Sequence, residues 1–167
     1  EAKEAFFIQT PSLNRVSVQP SNRFFRVIND GMLAYRKDPE SDEFDTILFA
    51  PRNAEQLTIP SNIKVLGDSC FENCTSLRQV AIPPDSKLQK ICSDAFRRSG
   101  IQSIAIPRSV TEIEWGAFES CSNLQTVEFH PESQLKKICR YAFSNCGIQS
   151  ITIPKSVTEI EWDVFKS

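Results

Sequence analysis

Self-similarity is what most limits the fold open to this chain. Ser109-Val-Thr-Glu-Ile-Glu-Trp115 returns unchanged as Ser156 to Trp162, and Ile101-Gln-Ser-Ile104 returns as Ile148 to Ile151, each 47 residues on. Shorter units lie inside that interval, because Phe71, Phe96, Phe118, Phe143 and Phe165 recur at spacings of 25, 22, 25 and 22. A unit this short cannot cover its own apolar face, so the copies must stack and bury each other.

Within a unit the pattern has two halves. Leu77-x-x-Val80-x-Ile82-Pro83 and Ile101-x-x-Ile104-x-Ile106-Pro107 alternate with period two, which predicts a short strand with one buried face that proline terminates. Next, Val110-x-x-Ile113 and Ala117-Phe118 carry apolar residues at intervals that suit a tight turn or extended segment, not a long helix. At a strand spacing of ~4.8 Å each apolar column becomes a continuous ladder, with the phenylalanines as its spine.

The period breaks once. Leu13-Asn-Arg-Val16-Ser-Val18 follows Phe7 as Leu77 follows Phe71, and it is expected to form a strand. Residues 22–53 then depart from the pattern: Phe24 to Ile28 and Met32 to Arg36 flank Asn29-Asp30-Gly31, a hairpin signal, and Thr46 to Ala50 is a further strand candidate. The expected organisation is a partial repeat with a strand over 1–21, a β-hairpin insertion over 22–53 and repeats over 54–167. Glu1 to Phe7 reads as the tail of an earlier unit and Phe165 stops short of a next strand, so a fragment of a longer array is expected.

The unit resembles the BspA-type leucine-rich repeat, with a pattern close to L-x-x-I-x-I-P-x-x-V-x-x-I-G-x-x-A-F-x-x-C-x-x-L. Residues 57–167 match it in nearly every apolar column, and the N-x-x-F…D-G-x-L-Y insertion has its like in the family too. The family glycine is kept as Gly67 but becomes Cys92, Glu114, Cys139 and Glu161, which bears on the tight turn expected there. The resemblance implies a mainly β, right-handed leucine-rich-repeat solenoid of 22–25-residue units. It also implies a non-catalytic protein-recognition module in a cell-surface or secreted adhesin or antigen, binding host or matrix proteins or other cells. An intracellular scaffold or the regulatory array of a larger signalling protein is the alternative.

Composition narrows the chemistry. With 19 basic against 21 acidic residues and no basic run, the 167-residue chain lacks the footprint of a nucleic-acid or anionic-membrane binder. No stretch reaches the ~18 apolar residues of a membrane span. Five glycines form no phosphate-binding loop. His130, the single histidine, sits at a strand end with no serine or cysteine motif around it. No Cys-x-x-Cys pair offers a zinc site, so neither cofactor nor metal is expected. Asp38-Pro-Glu40-Ser-Asp42-Glu43-Phe-Asp45 alternates carboxylates as a calcium loop does, yet lacks the glycine and closing glutamate, and it reads as a solvated hairpin loop. Asn73-Cys74-Thr75 is a glycosylation sequon placed beside the spine.

The six cysteines divide by column. Cys74, Cys121 and Cys146 each follow a spine phenylalanine by three residues, where the remaining unit has Ser99; Cys70 replaces an alanine; Cys92 and Cys139 share one position two units apart. That last separation, roughly 10 Å, is too long for a bridge, and six free thiols are expected. What remains is a surface. The outward strand residues Arg78, Gln79, Gln102, Ser103, Gln125, Thr126, Glu128, Gln149, Ser150 and Thr152 form polar columns, the candidate face for a protein partner.

Overall fold

The structure is a computed structural model, described over residues 7–167; the first six residues, with most of the expected upstream tail, lie outside the described residues. The irregular region comes first. Strands β1 (Phe25–Val27) and β2 (Leu33–Tyr35) form an antiparallel hairpin. Its turn uses left-handed backbone at Asp30 (φ 56°) and Gly31 (φ 83°), residue types that tolerate it. The next strand, β3 (Thr46–Phe49), pairs antiparallel with β2 on one side. On its other side it pairs parallel with β5 (Val65–Leu66), the strand that follows β4 (Gln56–Thr58).

From there every full unit contributes two rungs. The period-two halves give β4, β6 (Gln79–Ala81), β8 (Ser103–Ile106) and β10 (Thr126–Phe129), in a four-stranded parallel sheet. The second halves give β5, β7 (Lys90–Ile91), β9 (Glu112–Ile113), β11 (Lys137–Ile138) and β12 (Glu159–Ile160), each two residues long. These extend the hairpin into an eight-stranded sheet ordered β1-β2-β3-β5-β7-β9-β11-β12. The segments expected to be turn or extended chain are therefore a second sheet, closed by parallel bonds to the units on either side. The whole is a β-solenoid.

Two expected strands do not form. Leu13 to Val18 runs without a ladder; Leu13 is tied by the Arg52 N–H to its carbonyl (3.3 Å). Leu13, Val16 and Val18 are only half-buried, so little apolar cover holds the segment in register. At the other end, Gln149 to Ile153 makes no ladder with β10, although β12 of the same unit pairs with β11. Ile148, Ile151 and Ile153 are half-buried where Ile101, Ile104 and Ile106 are buried, which removes most of the force that would draw the strand in.

The core is the phenylalanine spine. Phe71, Phe96, Phe118, Phe143 and Phe165 stack face to face with centroids 4.7, 5.1, 5.1 and 5.8 Å apart and planes within 7°. Each fully buried ring contributes about 1.5–3 kcal/mol by leaving water. Left-handed residues flank the rings, two at each of the first four and one at Phe165. Two places before each ring stand Ser69, Asp94, Gly116, Tyr141 and Asp163; two places after the first four stand Asn73, Arg98, Ser120 and Asn145. The sharp turns thus lie beside the spine and not at the family glycine column, which is why Cys92, Glu114, Cys139 and Glu161 are accommodated there.

Candidate functional site

The four-stranded sheet carries the expected surface. Its strands alternate exposed and buried residues, as in β8, where Ile104 and Ile106 point inward and Ser103 and Ala105 outward. Register aligns the outward positions: Gln79 pairs with Ser103 and Ser103 with Thr126, while Ala105 pairs with Glu128. Just ahead of the strands, the Gln102 N–H donates to the Arg78 carbonyl (3.0 Å) and the Gln125 N–H to the Gln102 carbonyl (2.9 Å), which stacks those three side chains as well. Arg78, Gln79, Gln102, Ser103, Gln125, Thr126 and Glu128 therefore share one exposed, mostly uncharged face.

Gln149, Ser150 and Thr152 do not join it. They belong to the unpaired last segment, which with β10 lines an open cleft of about 740 Å³ whose walls run from Gln125 to Pro131 and from Ser150 to Lys155. His130 stands on that rim, exposed, its Nδ1 accepting the Glu132 N–H at 3.0 Å. No nucleophile is hydrogen-bonded to it among the described residues.

Around the short strands of the eight-stranded sheet the chemistry is different, since paired charges line its outer side. Lys64 reaches Glu43 (2.9 Å) and Asp45 (3.5 Å), Lys90 reaches Glu114 (2.6 Å), and Lys137 reaches Glu161 (2.7 Å) and Glu159 (2.9 Å). The bond to Glu161, then that to Glu159, holds the Lys137 ammonium well above its ordinary range, and Lys64 lowers Glu43. The acidic loop is drawn apart by such partners: Glu40 pairs with Arg23, Glu43 and Asp45 with Lys64, and Asp38 accepts the Glu40 N–H.

All six cysteines are free; five are buried and Cys146 is half-buried. Two of their thiols donate to spine carbonyls, Cys121 to Phe96 (2.9 Å) and Cys146 to Phe118 (3.0 Å), with Ser99 Oγ 3.4 Å from Cys121 in the same column, while Cys74 reaches the Pro51 carbonyl (3.8 Å). Burial pushes the Cys121 thiol up to about 11 and Cys92, Cys139 and Cys146 up to about 12. Protonated and enclosed, they act as small apolar groups, not nucleophiles.

Two features escaped the sequence reading. Ligand-type atoms of Asp68, Cys92 and Glu114 come within 4.8 Å of one another, from three successive units, so no spacing rule could find them. The Ser93 N–H donates to both carboxylates (3.2 and 3.0 Å) and Lys90 pairs with Glu114, so the carboxylates are already engaged. The second is aromatic. Trp115, Tyr141 and Trp162 run edge to face along one corner, 5.9 and 6.2 Å apart, with Trp115 41% and Trp162 61% exposed. Its signal was present, for both tryptophans of the chain fall in the one heptapeptide that repeats unchanged.

Comparison with known proteins agrees with this architecture. The model of the BspA type leucine rich repeat region matches residues 43–167 in six copies. No curated protein matches the sequence. Among solved structures, the pneumococcal vaccine antigen PcpA superposes with a TM-score of 0.68 at 18% identity, over 86% of this chain and 47% of that one. The leucine-rich repeat protein of T. pallidum gives 0.63 at 23% identity, over 90% and 67%. That of Eubacterium ventriosum gives 0.59 at 20%, over 92% and 52%. At these identities the likeness is one of fold, and the chain spans about half of the pneumococcal antigen. Spine, parallel rungs and matched repeats together place the chain in the BspA-type leucine-rich repeat family.

Proposed function

We propose that this chain is a non-catalytic protein-recognition module that binds through its four-stranded sheet, as part of a cell-surface adhesin or antigen contacting host or matrix proteins or other cells. The observation that carries this reading is the register-aligned face of Gln79, Ser103 and Thr126 beside Arg78, Gln102 and Gln125, exposed across successive rungs. Neutral polar groups shed water at little cost and hydrogen-bond a partner in return, so a broad face gathers affinity without a deep pocket. Similarity to a vaccine antigen supports the surface setting. Among the described residues no helix is long and apolar enough to cross a membrane.

Binding to immobilised matrix proteins and to cultured cells, measured by surface plasmon resonance and flow cytometry, tests the proposal. Gln102→Glu with Gln125→Glu is expected to weaken capture at least ten-fold with the thermal midpoint unchanged; undiminished capture overturns it. The intracellular scaffold reading has one observation in its favour, the six free thiols, which are commonest in reducing compartments. The parent reading frame decides between the two: an export signal or anchor supports the first, a fused catalytic domain the second.

A further inference from the structure

The two 47-residue copies differ at one corner, and the difference defines a ligand. Three places before successive spine rings, the first copy presents Ser93 and then Trp115, and the second Arg140 and then Trp162. The backbone setting is the same in both. Glu114 accepts the Ser93 N–H at 3.0 Å, as Glu161 accepts the Arg140 N–H at 2.8 Å. In the second copy the Arg140 guanidinium lies 3.0 Å from the Trp162 ring centroid and 4.4 Å from that of Tyr141, and donates to the Tyr141 hydroxyl. In the first copy the place of Arg140 is held by a serine, too short to cross the ring, and the place of Tyr141 by Asp94. Trp115 contacts the Tyr141 ring, and no cation lies over it among the described residues.

The charge around Trp115 is of the sign a guanidinium needs. The Asp94 N–H donates to the Trp115 carbonyl (2.9 Å), and Asp94 Oδ1 comes so near Gly116 that a Cβ there would meet it at 2.7 Å. Glu119 approaches the same point at 3.2 Å. Arg97 is the cation beside this pair, at 3.9 Å from Asp94 and 3.5 Å from Glu119. Burial, and then Glu119, Glu72 and Asp68, outweigh the pull of Arg97 and push the Asp94 carboxyl up to about 6. Counting Lys90 on Glu114 at 2.6 Å, two cations stand among Asp68, Glu72, Asp94, Glu114 and Glu119, so the corner keeps an excess of negative charge that one added cation relieves.

We propose that Trp115, with Asp94 beside it, is a docking point for an arginine side chain of a partner protein, which stacks on Trp115 as Arg140 stacks on Trp162. Arginine is the occupant because its flat guanidinium stacks on an indole and forks to a carboxylate at once, which the ammonium of lysine does less well. The site shares no residue with the four-stranded sheet face, so the two readings stand or fall separately.

The test uses the whole chain and two small probes. N-acetyl-argininamide is titrated while the two indole N–H resonances of the ¹⁵N-labelled protein are followed, with Trp115→Phe assigning them. The Trp115 resonance is expected to shift saturably in roughly the millimolar range that one stacked ion pair supports, with Trp162 unmoved. N-acetyl-citrullinamide, of the same shape but neutral, is expected to bind about five-fold or more weakly. Ser93→Arg, which reproduces the second copy, is expected to suppress the response at least ten-fold with the circular dichroism spectrum retained; should it not fold, Asp94→Asn is expected to weaken binding about three-fold. Absence of a saturable Trp115 shift, equal response to the neutral probe, or a full response in the folded variant overturns the proposal.

Discussion

From Phe71 to Phe165 parallel rings stack on one another, whereas in the 22–53 insertion tilted rings are covered by guanidinium groups. Each spine phenylalanine meets its own copy one unit away at about the strand spacing. Where the period is interrupted the rings meet tilted instead of stacked, Phe7 on Phe49 at 5.1 Å and 49° and Phe25 on Tyr35 at 5.4 Å and 39°, and arginines cover the faces left open. Arg26 and Arg36 cover the Phe44 ring at 4.4 and 4.7 Å, and Arg52 lies 5.0 Å from that of Phe49. The exchange serves backbone as well as ring. Arg36 donates to the carbonyls of Arg23 and Ser41, and Arg52 donates to those of Cys70 (3.0 Å) and Phe7 (3.3 Å). A repeat satisfies its carbonyls through the next repeat; an interruption needs a side chain that is flat on its faces and a donor at its rim.

The largest test of this contrast is Phe96→Ala, expected to cost about 3–5 kcal/mol because the cavity opens between two stacked neighbours. Phe44→Ala is expected to cost roughly half as much by chemical denaturation, since mobile arginine stems refill its space; equal losses would break the comparison. Next, Arg52→Met keeps most of the volume of a 3% exposed side chain but removes the guanidinium bonds to the Cys70 and Phe7 carbonyls, which keep the Ala50 N–H and the Thr10 hydroxyl as donors, for about 1–2 kcal/mol. A neutral outcome would mean that the guanidinium packs without bonding.

Asp94→Asn gives a smaller effect of opposite sign. The folded carboxyl titrates near 6, above its ordinary 3.8, so ionised Asp94 disfavours folding. Its contribution is most favourable below pH ~4 and is lost as pH rises through about 6. The variant should therefore gain about 1 kcal/mol at pH 8, after allowance for its partial exposure, and nothing at pH 4. A gain that does not vary with pH would place the cause elsewhere. Smallest of all, Lys137→Gln removes two partly exposed ion pairs, to Glu159 and Glu161, and should leave the thermal midpoint unchanged in high salt.

The spine, the inward columns and the hairpin were legible because each rests on a period or on turn chemistry that repeats in the residues themselves. Phe96 and Ile104 are buried for the reason that their spacing announces. The short second rungs were not legible. Lys90-Ile91 and Glu112-Ile113 show no alternation over two residues, and they become strands because the neighbouring unit presents a matching edge. Register at the array ends was missed for the complementary reason, since Leu13 to Val18 has the pattern but not the cover. On the candidate face, the columns through Gln125 followed from period two, while the displacement of Gln149 depends on cover that no local pattern encodes. The corner around Trp115 draws on three units, and its meaning emerges only when Ser93 is set against Arg140.

Because β3 is antiparallel to β2 and parallel to β5, the chain's shortest strand connection adjoins its first long one. Closing β1 on β2 needs only a tight turn, an event of about 1–10 μs. Every parallel rung must first close a longer loop, 19 residues from β3 to β5 and 22 to 25 from there on. The hairpin offers a ready edge and β3 converts its polarity, so this region is expected to be one point from which rungs can be added unit by unit. A lesion in the hairpin is then expected to slow folding more than an equally destabilising lesion in a later unit, as stopped-flow refolding would show.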